Sequence, residues 1–440
     1  MLLLASYIFY GLWNPPLVIL LWISTMVDWT AGKKLFKETN RRKRKFWLLL
    51  SLLVNMGFLA FFKYGGFLLE NFIYLMQSAG IDYAPLAPDI ILPMGISFYT
   101  FQTMSYTIDM YYKRTKPADT FLDFALYVTF FPQLVAGPIV RSSELIPQFY
   151  KPKKATFAQF RWGLFLLTFG LFQKIVMADT LLASPSDTVF GSGKILSALD
   201  AWSGTLAFSG QIFFDFAGYS TCAIGIALML GFVLPDNFRY PYASIGFSDL
   251  WSRWHISLSS WLRDYLYIPL GGNRKGPTRT YVNLTLTMLL GGLWHGAAWT
   301  FVLWGLLHGF YLMLERYLKG HVNIRINAWN GILLAFGTFM CLNITWVFFR
   351  AREFSTAMDM LSSMFFMNPE GESVLPYLDI YIVMAVTLSM FLSHWFMRET
   401  SVKEVANKMP AWLLGIIWGI LLILLAISQG SSDQFIYFQF

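Results

Sequence analysis

Charged residues are scarce in this sequence of 440 residues. Asp, Glu, Lys and Arg together make up 13% of the chain, whereas hydrophobic residues make up 56% and the mean hydropathy is +0.51. An average soluble domain carries about 25% charged residues, and a chain with so few cannot cover its apolar surface in water. The composition therefore excludes an ordinary soluble protein and predicts a chain that crosses a membrane several times.

Cysteine is also rare, and the motifs of common soluble enzymes are missing. Cys222 and Cys341 are the two cysteines, and neither has neighbours at a metal-ligand spacing, which excludes a disulfide framework and a zinc site. The sequence has no G-x-S-x-G elbow, no H-E-x-x-H, no Walker lysine loop and no G-x-G-x-x-G turn. If the protein is an enzyme, its residues permit an imidazole base that acts on a bound hydroxyl.

Basic residues exceed acidic residues, 33 to 25, which gives a net charge of +8. The aromatic residues lie inside apolar runs and not in a basic groove, so the charge indicates membrane topology and contact with lipid headgroups, not nucleic-acid binding. The strongest basic block spans residues 33–45 beside the first apolar segment and predicts a cytoplasmic loop. Basic loops at 113–116, 151–161 and 273–279 are predicted to lie on the same side.

Apolar runs recur along the chain and predict an all-α, polytopic membrane protein with roughly ten to eleven transmembrane helices of about 20 residues each. The predicted spans are 2–29 with a break at Asn14-Pro15-Pro16, 46–63, 89–111, 120–138, 158–180, 203–232, 281–294, 297–318, 329–349, 377–397 and 411–428.

The segment 245–270 differs from these spans, because it mixes Trp, Arg, Asp and Ser with Leu and Ile. It is too polar to cross lipid unaccompanied and is predicted to form an interfacial or re-entrant helix pair. No internal repeat, low-complexity tract or linker is visible, so we expect one domain over residues 1–440.

Histidine is the first residue type to consider for acid–base chemistry, and the chain has five, at positions 255, 295, 308, 321 and 394. His295 lies between two strongly apolar segments among three glycines, which permit a bend and the close approach of a substrate. A catalytic base and a hydrogen-bonded core histidine are equally compatible with this local sequence. His308 lies within a span as a structural or supporting residue, His321 is an ordinary loop residue, and His394 is predicted to be an interfacial anchor.

His255 belongs to a run that, read as one helix, places an aromatic and aliphatic stripe at helical spacing. That stripe consists of Trp251, Trp254, His255, Leu258, Leu262 and Tyr265, with Arg253 and Asp264 on the opposite face. The pattern favours packing over chemistry for His255.

Asp215 is the most costly carboxylate in the sequence, because it stands deep in the apolar run 211–220. A carboxylate at such a position must be paired, protonated or beside water. A buried hydrogen bond or ion pair is the favoured role, and a proton relay is the alternative. Asp109 lies nearer a span end and is easier to accommodate.

Five motifs occur in order along the chain: LPMGISFYTFQ at 92–102, FFPQLVAGPI at 130–139, FDFAGYS at 214–220, WSRWHISL with RDYLYIPLGGN across 251–273, and LWHG at 293–296. Together with the tail FIYFQF at 435–440, they resemble the membrane-bound O-acyltransferase family, and within it the bacterial branch that includes the alginate O-acetylation membrane protein. Members of this branch generally have a further apolar segment before the one that opens this chain, so the number of N-terminal spans stays open.

The resemblance implies a helical membrane fold with a central tunnel, and it assigns the family histidine to His295. A second family position about forty residues earlier, occupied by His, Asn or Asp in different members, is matched here by His255. The resemblance therefore favours catalysis by His295 and a supporting role for His255. The candidate substrate-binding residues are Trp254, Trp294, Arg253 and Asp215.

The activity implied by the resemblance is transfer of an acetyl group from cytoplasmic acetyl-CoA across the bacterial inner (plasma) membrane. The acceptor would be an exported polysaccharide such as alginate or peptidoglycan, and His295 would remove a proton from its hydroxyl. Acetyl-CoA is then a substrate, and no cofactor or metal is implied. Arg274, Lys275 and Arg279 could attract the CoA phosphates, although the positive-inside rule alone accounts for them. A separate extracytoplasmic partner that resembles SGNH hydrolases is also implied.

Two alternatives remain at this point. A related enzyme class moves D-alanine from a carrier protein onto teichoic acid, and a requirement for that carrier would identify it. A transporter would use Asp215 and His295 to line a pathway, but the chain has no repeated halves with matched broken helices.

Overall fold

Helices form nearly all of the regular structure in the computed structural model, which describes residues 1–83, 85, 90–322, 325–428 and 435–436. Over these residues there is no β-strand, only an isolated bridge between Leu196 and Glu372. The all-α prediction is confirmed. The described helices that are long and apolar enough to cross a membrane are Arg41–Phe62, Phe157–Phe190, Ala198–Met229, Ala328–Arg350 and Tyr377–Met397.

The chain divides into two units. The first contains Met1–Arg161 and Ile226–Pro235, and the second contains Trp162–Gly225 and Asp236–Phe440. One domain over residues 1–440 remains a prediction. The predicted tunnel also remains a prediction.

The first unit is built mainly from helices. They are α1 (Leu2–Gly11), α2 (Val18–Lys37), α3 (Arg41–Phe62), α4 (Gly65–Ser78), α5 (Ile96–Tyr111), α6 (Phe121–Thr129) and α7 (Ser142–Phe149). The predicted break at Asn14-Pro15-Pro16 is confirmed as a 3₁₀ turn, Pro15–Leu17, between α1 and α2. The predicted span 120–138 is wrong in its second half, because α6 ends at Thr129 and turns follow. Pro132 and Pro138 lack the N–H groups that a continuing helix needs.

A buried polar network joins α2, α3 and α5. The Asp28 carboxylate accepts hydrogen bonds from Ser51 Oγ at 2.5 Å and from Asn55 Nδ2 at 2.9 Å. Ser24 Oγ donates to Asn55 Oδ1 at 2.7 Å, and the hydroxyls of Ser51 and Thr107 lie 2.9 Å apart. All of these side chains are buried. The donors that surround Asp28 offset the cost of removing its carboxyl group from water.

The second unit contains the longer helices. Its helices are α8 (Phe157–Leu171), which begins in the first unit and continues as a π-helical stretch (Phe172–Ala183), α9 (Ser184–Phe190), α10 (Ala198–Met229), whose residues from Ile226 onward belong to the first unit, α11 (Phe247–Arg253), α12 (Ile256–Leu262), which continues as a second π-helical stretch (Arg263–Tyr267), α13 (Gly276–His295), α14 (Trp299–His321), α15 (Ala328–Arg350), α16 (Phe354–Met364), α17 (Tyr377–Met397), α18 (Val402–Lys408) and α19 (Ala411–Ile427), with a 3₁₀ turn at Pro241–Ala243. The helix pair predicted within 245–270 corresponds to α11 and α12. Its place at or within the lipid surface remains a prediction.

Glycines bring α13 and α14 into backbone contact. A Cβ atom on Gly305 would lie 2.5 Å from the Met288 carbonyl oxygen, and one on Gly309 would lie 2.9 Å from the Cα of Thr285. Any side chain at these positions would force the helices apart, as expected for small residues at a membrane helix crossing. This contact holds the end of α13 beside the start of α14.

Candidate active site

His295 is the last residue of α13 and lies at the tight turn into α14. The turn passes through Gly296, where a Cβ atom would overlap the ring of Phe301. His295 is 3% exposed. Its ring centroid lies 5.1 Å from that of Trp294, 5.0 Å from Trp304 and 5.2 Å from Phe349. The imidazole is therefore enclosed by aromatic rings that limit the access of water.

His255 lies between two short helices, so the predicted continuous helix with its aromatic stripe is wrong. α11 ends at Arg253, α12 begins at Ile256, and His255 has φ 42° and ψ 55° in the left-handed region. A residue with a side chain pays about 1–2 kcal/mol for this conformation. Such strain persists only where the surroundings impose it, often at functional sites.

Asn237 supplies much of this constraint. Its backbone carbonyl accepts the N–H of Ile256 at 2.9 Å, and its side-chain Oδ1 accepts the backbone N–H and the hydroxyl of Ser257 at 3.2 and 2.8 Å. Helical hydrogen bonding stops at His255 because the N–H groups of Ile256 and Ser257 donate to Asn237, which lies outside both helices.

The same amide also orients the His255 ring. His255 Nδ1 lies 3.3 Å from Asn237 Oδ1. Because an amide oxygen only accepts hydrogen bonds, Nδ1 must carry the proton, and Nε2 is then the basic nitrogen. Asn237 Nδ2 in turn donates to Ser220 Oγ at 3.1 Å. Sequence reasoning missed Asn237, which stands in a polar break after an apolar run with no spacing signal that links it to His255.

Trp294 brings the two sequence-predicted histidines together. The Trp294 ring centroid lies 5.9 Å from that of His255 and 5.1 Å from that of His295. His255 also contacts Phe216 of α10, with ring centroids 4.6 Å apart. The two imidazoles therefore share one indole within a buried aromatic cluster.

Trp254 and His308 extend this cluster. Trp254 is 2% exposed and stacks on Tyr242 with ring centroids 5.9 Å apart. The ring of His308 lies 4.4 Å from that of Trp304, which in turn contacts His295. His308 Nε2 lies 3.2 Å from the Thr345 hydroxyl. His308 thus fits the structural or supporting role expected from its position.

Arg253 lies in a network of ion pairs. Its Nε is 2.8 Å from the Asp249 carboxylate and its guanidinium is 3.2 Å from Glu399, while Arg398 is 2.7 Å from Asp249. Burial alone would raise the pKa of Asp249, but hydrogen bonds from Arg253 and the Ile245 amide, together with the charge of Arg398, lower it. A role for Arg253 in substrate binding remains a prediction.

Asp215 forms the expected ion pair, with Lys174 Nζ at 2.8 Å. Lys174 also pairs with Asp179 at 2.9 Å. Substrate contact by Asp215 remains a prediction. His394 is not an interfacial anchor, because it is 5% exposed and its Nδ1 accepts the backbone N–H of Tyr242 at 3.2 Å.

Across the described parts of the chain, no set of three or more His, Cys, Asp or Glu side chains is placed to hold a metal ion.

The part of the chain that contains this aromatic cluster matches a known protein family. Residues 119–351, which include both His255 and His295, match the family model of the membrane-bound O-acyltransferases. A probable alginate O-acetylase of Pseudomonas putida is 38% identical, over 100% of this chain and 94% of the relative. A peptidoglycan O-acetyltransferase of Helicobacter pylori is 40% identical, over 83% of this chain and 73% of the relative.

A more distant relative has a different acyl group in its name. A teichoic acid D-alanyltransferase of Bacillus subtilis is 29% identical, over 60% of this chain and 70% of the relative. The family match spans more than half of the chain, and two of these relatives match most of it at 38–40% identity. This chain belongs to the membrane-bound O-acyltransferase family.

Proposed function

We propose that this protein transfers an acetyl group from acetyl-CoA to a hydroxyl of an exported polysaccharide, across the bacterial inner membrane. The observation that carries the proposal is the contact of both His295 and His255 with Trp294 in a buried aromatic cluster. The similarity to proteins named for O-acetylation of alginate and of peptidoglycan supports the choice of acetyl group and acceptor.

His295 acts as the general base in this proposal. Its imidazole takes the proton of the acceptor hydroxyl as the oxygen attacks the thioester carbon. The tetrahedral intermediate then expels the CoA thiolate, which receives that proton from the imidazolium. A thioester is already activated, so the enzyme has mainly to position two reactants and move one proton. The aromatic rings around His295 keep out water that would otherwise hydrolyse the donor.

His255 supports this step and is not the base. Asn237 fixes its ring, so Nε2 has a defined direction as a hydrogen-bond acceptor. Trp254 and Trp294 shape the pocket. Arg253 and Asp215 are engaged in ion pairs with other protein groups, so we assign the pocket walls to the tryptophans first.

The donor would enter from the cytoplasm. Arg274, Lys275 and Arg279 are exposed in the segment at the start of α13 and could bind the CoA phosphates. A separate extracytoplasmic partner that resembles SGNH hydrolases would assist the transfer on the glycan side of the membrane.

The test is release of free CoA from acetyl-CoA by the purified protein in liposomes, supplied with a candidate glycan acceptor (alginate or peptidoglycan) and with the extracytoplasmic partner. We expect His295→Ala to lower the rate by about 10²–10⁴-fold, the usual contribution of a general base. His321→Ala is the matched control, because His321 is exposed and bonds only to its own helix at the Tyr317 carbonyl in the described contacts. Equal rates for His295→Ala and the parent, with equal thermal stability, would remove His295 from the chemistry.

D-alanyl transfer is the second candidate, and the relative from Bacillus subtilis favours it. A D-alanyl thioester on a carrier protein, supplied in place of acetyl-CoA, distinguishes the two. If the protein consumes the carrier thioester but not acetyl-CoA, the D-alanyl carrier is the donor. If it consumes neither thioester, the result favours a transporter.

A further inference from the structure

A charged cluster is buried where α10 meets the first π-helical stretch. Lys174 Nζ lies 2.8 Å from Asp215 and 2.9 Å from Asp179, and the Asp215 side chain is 2% exposed. These residues belong to two of the candidate membrane spans. Charged side chains within a membrane span are costly and are candidates for a functional role.

Asp215 has a second partner in a distant part of the chain. Its Oδ2 accepts the backbone N–H of Ile436 at 2.6 Å, across 221 residues of sequence. A hydrogen bond to an ionised carboxylate is about twice as strong as one between neutral groups. Ile436 is 1% exposed and Phe435 is 6% exposed, so this segment is part of the core.

The 435–436 segment also contacts the ring that touches His255. Phe435 packs on Tyr219 and on Phe216, with ring centroids 5.1 and 5.9 Å apart. Phe216, the residue next to Asp215, lies edge-to-face on His255 at 4.6 Å. One phenyl ring therefore separates the docked segment from the second histidine of the site.

We propose that Asp215, held by Lys174, is a positioning residue that docks the segment Phe435–Ile436 against Phe216, and that this docking completes the wall behind His255. The role of Asp215 in catalysis rests on the proposed function, whereas the docking itself does not.

The form of the contact indicates why a carboxylate is used. Apolar packing of Phe435 and Ile436 alone would bury the segment but would leave its register weakly defined. A carboxylate that accepts one particular backbone N–H fixes a single register. Buried polar groups are known to specify register in this way in other helical assemblies.

The experiment measures docking by cross-linking and activity by CoA release. Tyr219→Cys and Phe435→Cys are introduced into a parent in which Cys222 and Cys341 are changed to Ala, and the pair is bridged by a short, reducible bis-methanethiosulfonate linker. This parent lacks two of the packed rings but keeps the hydrogen bond between Ile436 and Asp215, so its CoA release is first compared with that of the protein that keeps both rings. We expect Asp215→Ala to lower the yield of linked protein at least fivefold and the rate of CoA release at least tenfold. Asp179→Asn is the matched control, because it alters the other carboxylate that pairs with Lys174 and leaves the hydrogen bond between Ile436 and Asp215 in place, and we expect the yield and the rate to stay within twofold of the parent.

Recovery of activity by the cross-link distinguishes a positioning role of Asp215 from a direct role in the reaction. Linked Asp215→Ala protein should recover at least half of the rate of the linked parent and lose it again on reduction of the linker. Asp215→Asn keeps a carbonyl oxygen for the Ile436 amide, so it should link at an intermediate yield. If thermal unfolding shows that Asp215→Ala does not fold, the linking yield and the rate of CoA release are compared between Asp215→Asn and the parent instead.

Three results would overturn the proposal. They are a linking yield for the Asp215 variants equal to that of the parent, a linked Asp215→Ala protein that stays inactive while the linked parent works, and a parent that loses activity when linked. Linking is measured without substrate. The linking yield therefore still reports on docking of the Phe435–Ile436 segment even if the protein does not transfer acetyl groups.

Discussion

At the scale of single residues, the direction of the His255 ring depends on Asn237. Replacing Asn237 with Ala removes the acceptor for the ring Nδ1 and for both donors of Ser257. We expect CoA release to fall about tenfold and stability to fall by about 1–3 kcal/mol, the cost of leaving buried donors unsatisfied. Asn237→Asp keeps the oxygen acceptor and should recover most of both. Equal activity in Asn237→Ala and the parent would show that His255 needs no such orientation.

The turn beside His295 requires glycine at position 296, because the turn leaves no room for a Cβ atom there. A methyl group there would overlap the Phe301 ring, so Gly296→Ala should displace the end of α13 and lower CoA release more than tenfold. Gly320→Ala is the control, because a Cβ atom at Gly320 meets no atom within 4 Å. It should leave activity unchanged and stabilise α14 by up to about 1 kcal/mol. Thermal unfolding and CoA release on both variants test the prediction, which a fully active Gly296→Ala would contradict.

At the scale of elements, the start of α11 is held by a residue from α14. Glu315 Oε2 accepts the backbone N–H groups of Phe247 and Ser248 at 2.7 and 2.8 Å. Glu315→Ala should therefore lower stability by about 1–2 kcal/mol, as the loss of a helix cap does, and should lower activity because α11 leads to His255. Lys319→Ala removes the exposed ion-pair partner of Glu315 and should change stability by less than about 1 kcal/mol. Equal thermal stability of Glu315→Ala and the parent would contradict the prediction.

The elements also show which features a sequence can predict. Long apolar helices, the break at Asn14-Pro15-Pro16 and the short helices within 245–270 follow from local composition and from proline, so they were predictable. The break at His255 was not, because its cause is a set of hydrogen bonds that Asn237, 18 residues away, accepts from His255, Ile256 and Ser257. The ion pair of Asp215 could be expected from the cost of a buried charge, but its partner Lys174 lies 41 residues earlier on another helix, and no local pattern identifies it.

At the scale of the whole molecule, the basic loops predict which parts of the chain face the cytoplasm. Arg42→Cys and Lys275→Cys, each in the variant without Cys222 and Cys341, should react with a membrane-impermeant maleimide only in inside-out vesicles or after lysis. The positive-inside rule predicts that Arg42, in the first turn of α3, and Lys275, just before α13, both lie on the cytoplasmic side, where acetyl-CoA is available. Labelling of Lys275→Cys from the outside of intact cells would reverse the orientation proposed for donor entry. Labelling after lysis controls for the accessibility of each cysteine.

The close crossing of α13 and α14 has a consequence for engineering. His295 is held in place largely by main chain against main chain at Gly305 and Gly309, whereas the walls around it are side chains. Replacing Phe349 or Trp304 by a smaller residue would therefore change the space beside the His295 ring while the crossing of α13 and α14 stays in place. On the proposed mechanism, the reacting imidazole and the rings that would limit the size of the acyl chain belong to different parts of this scaffold, so we expect single ring substitutions to change donor preference.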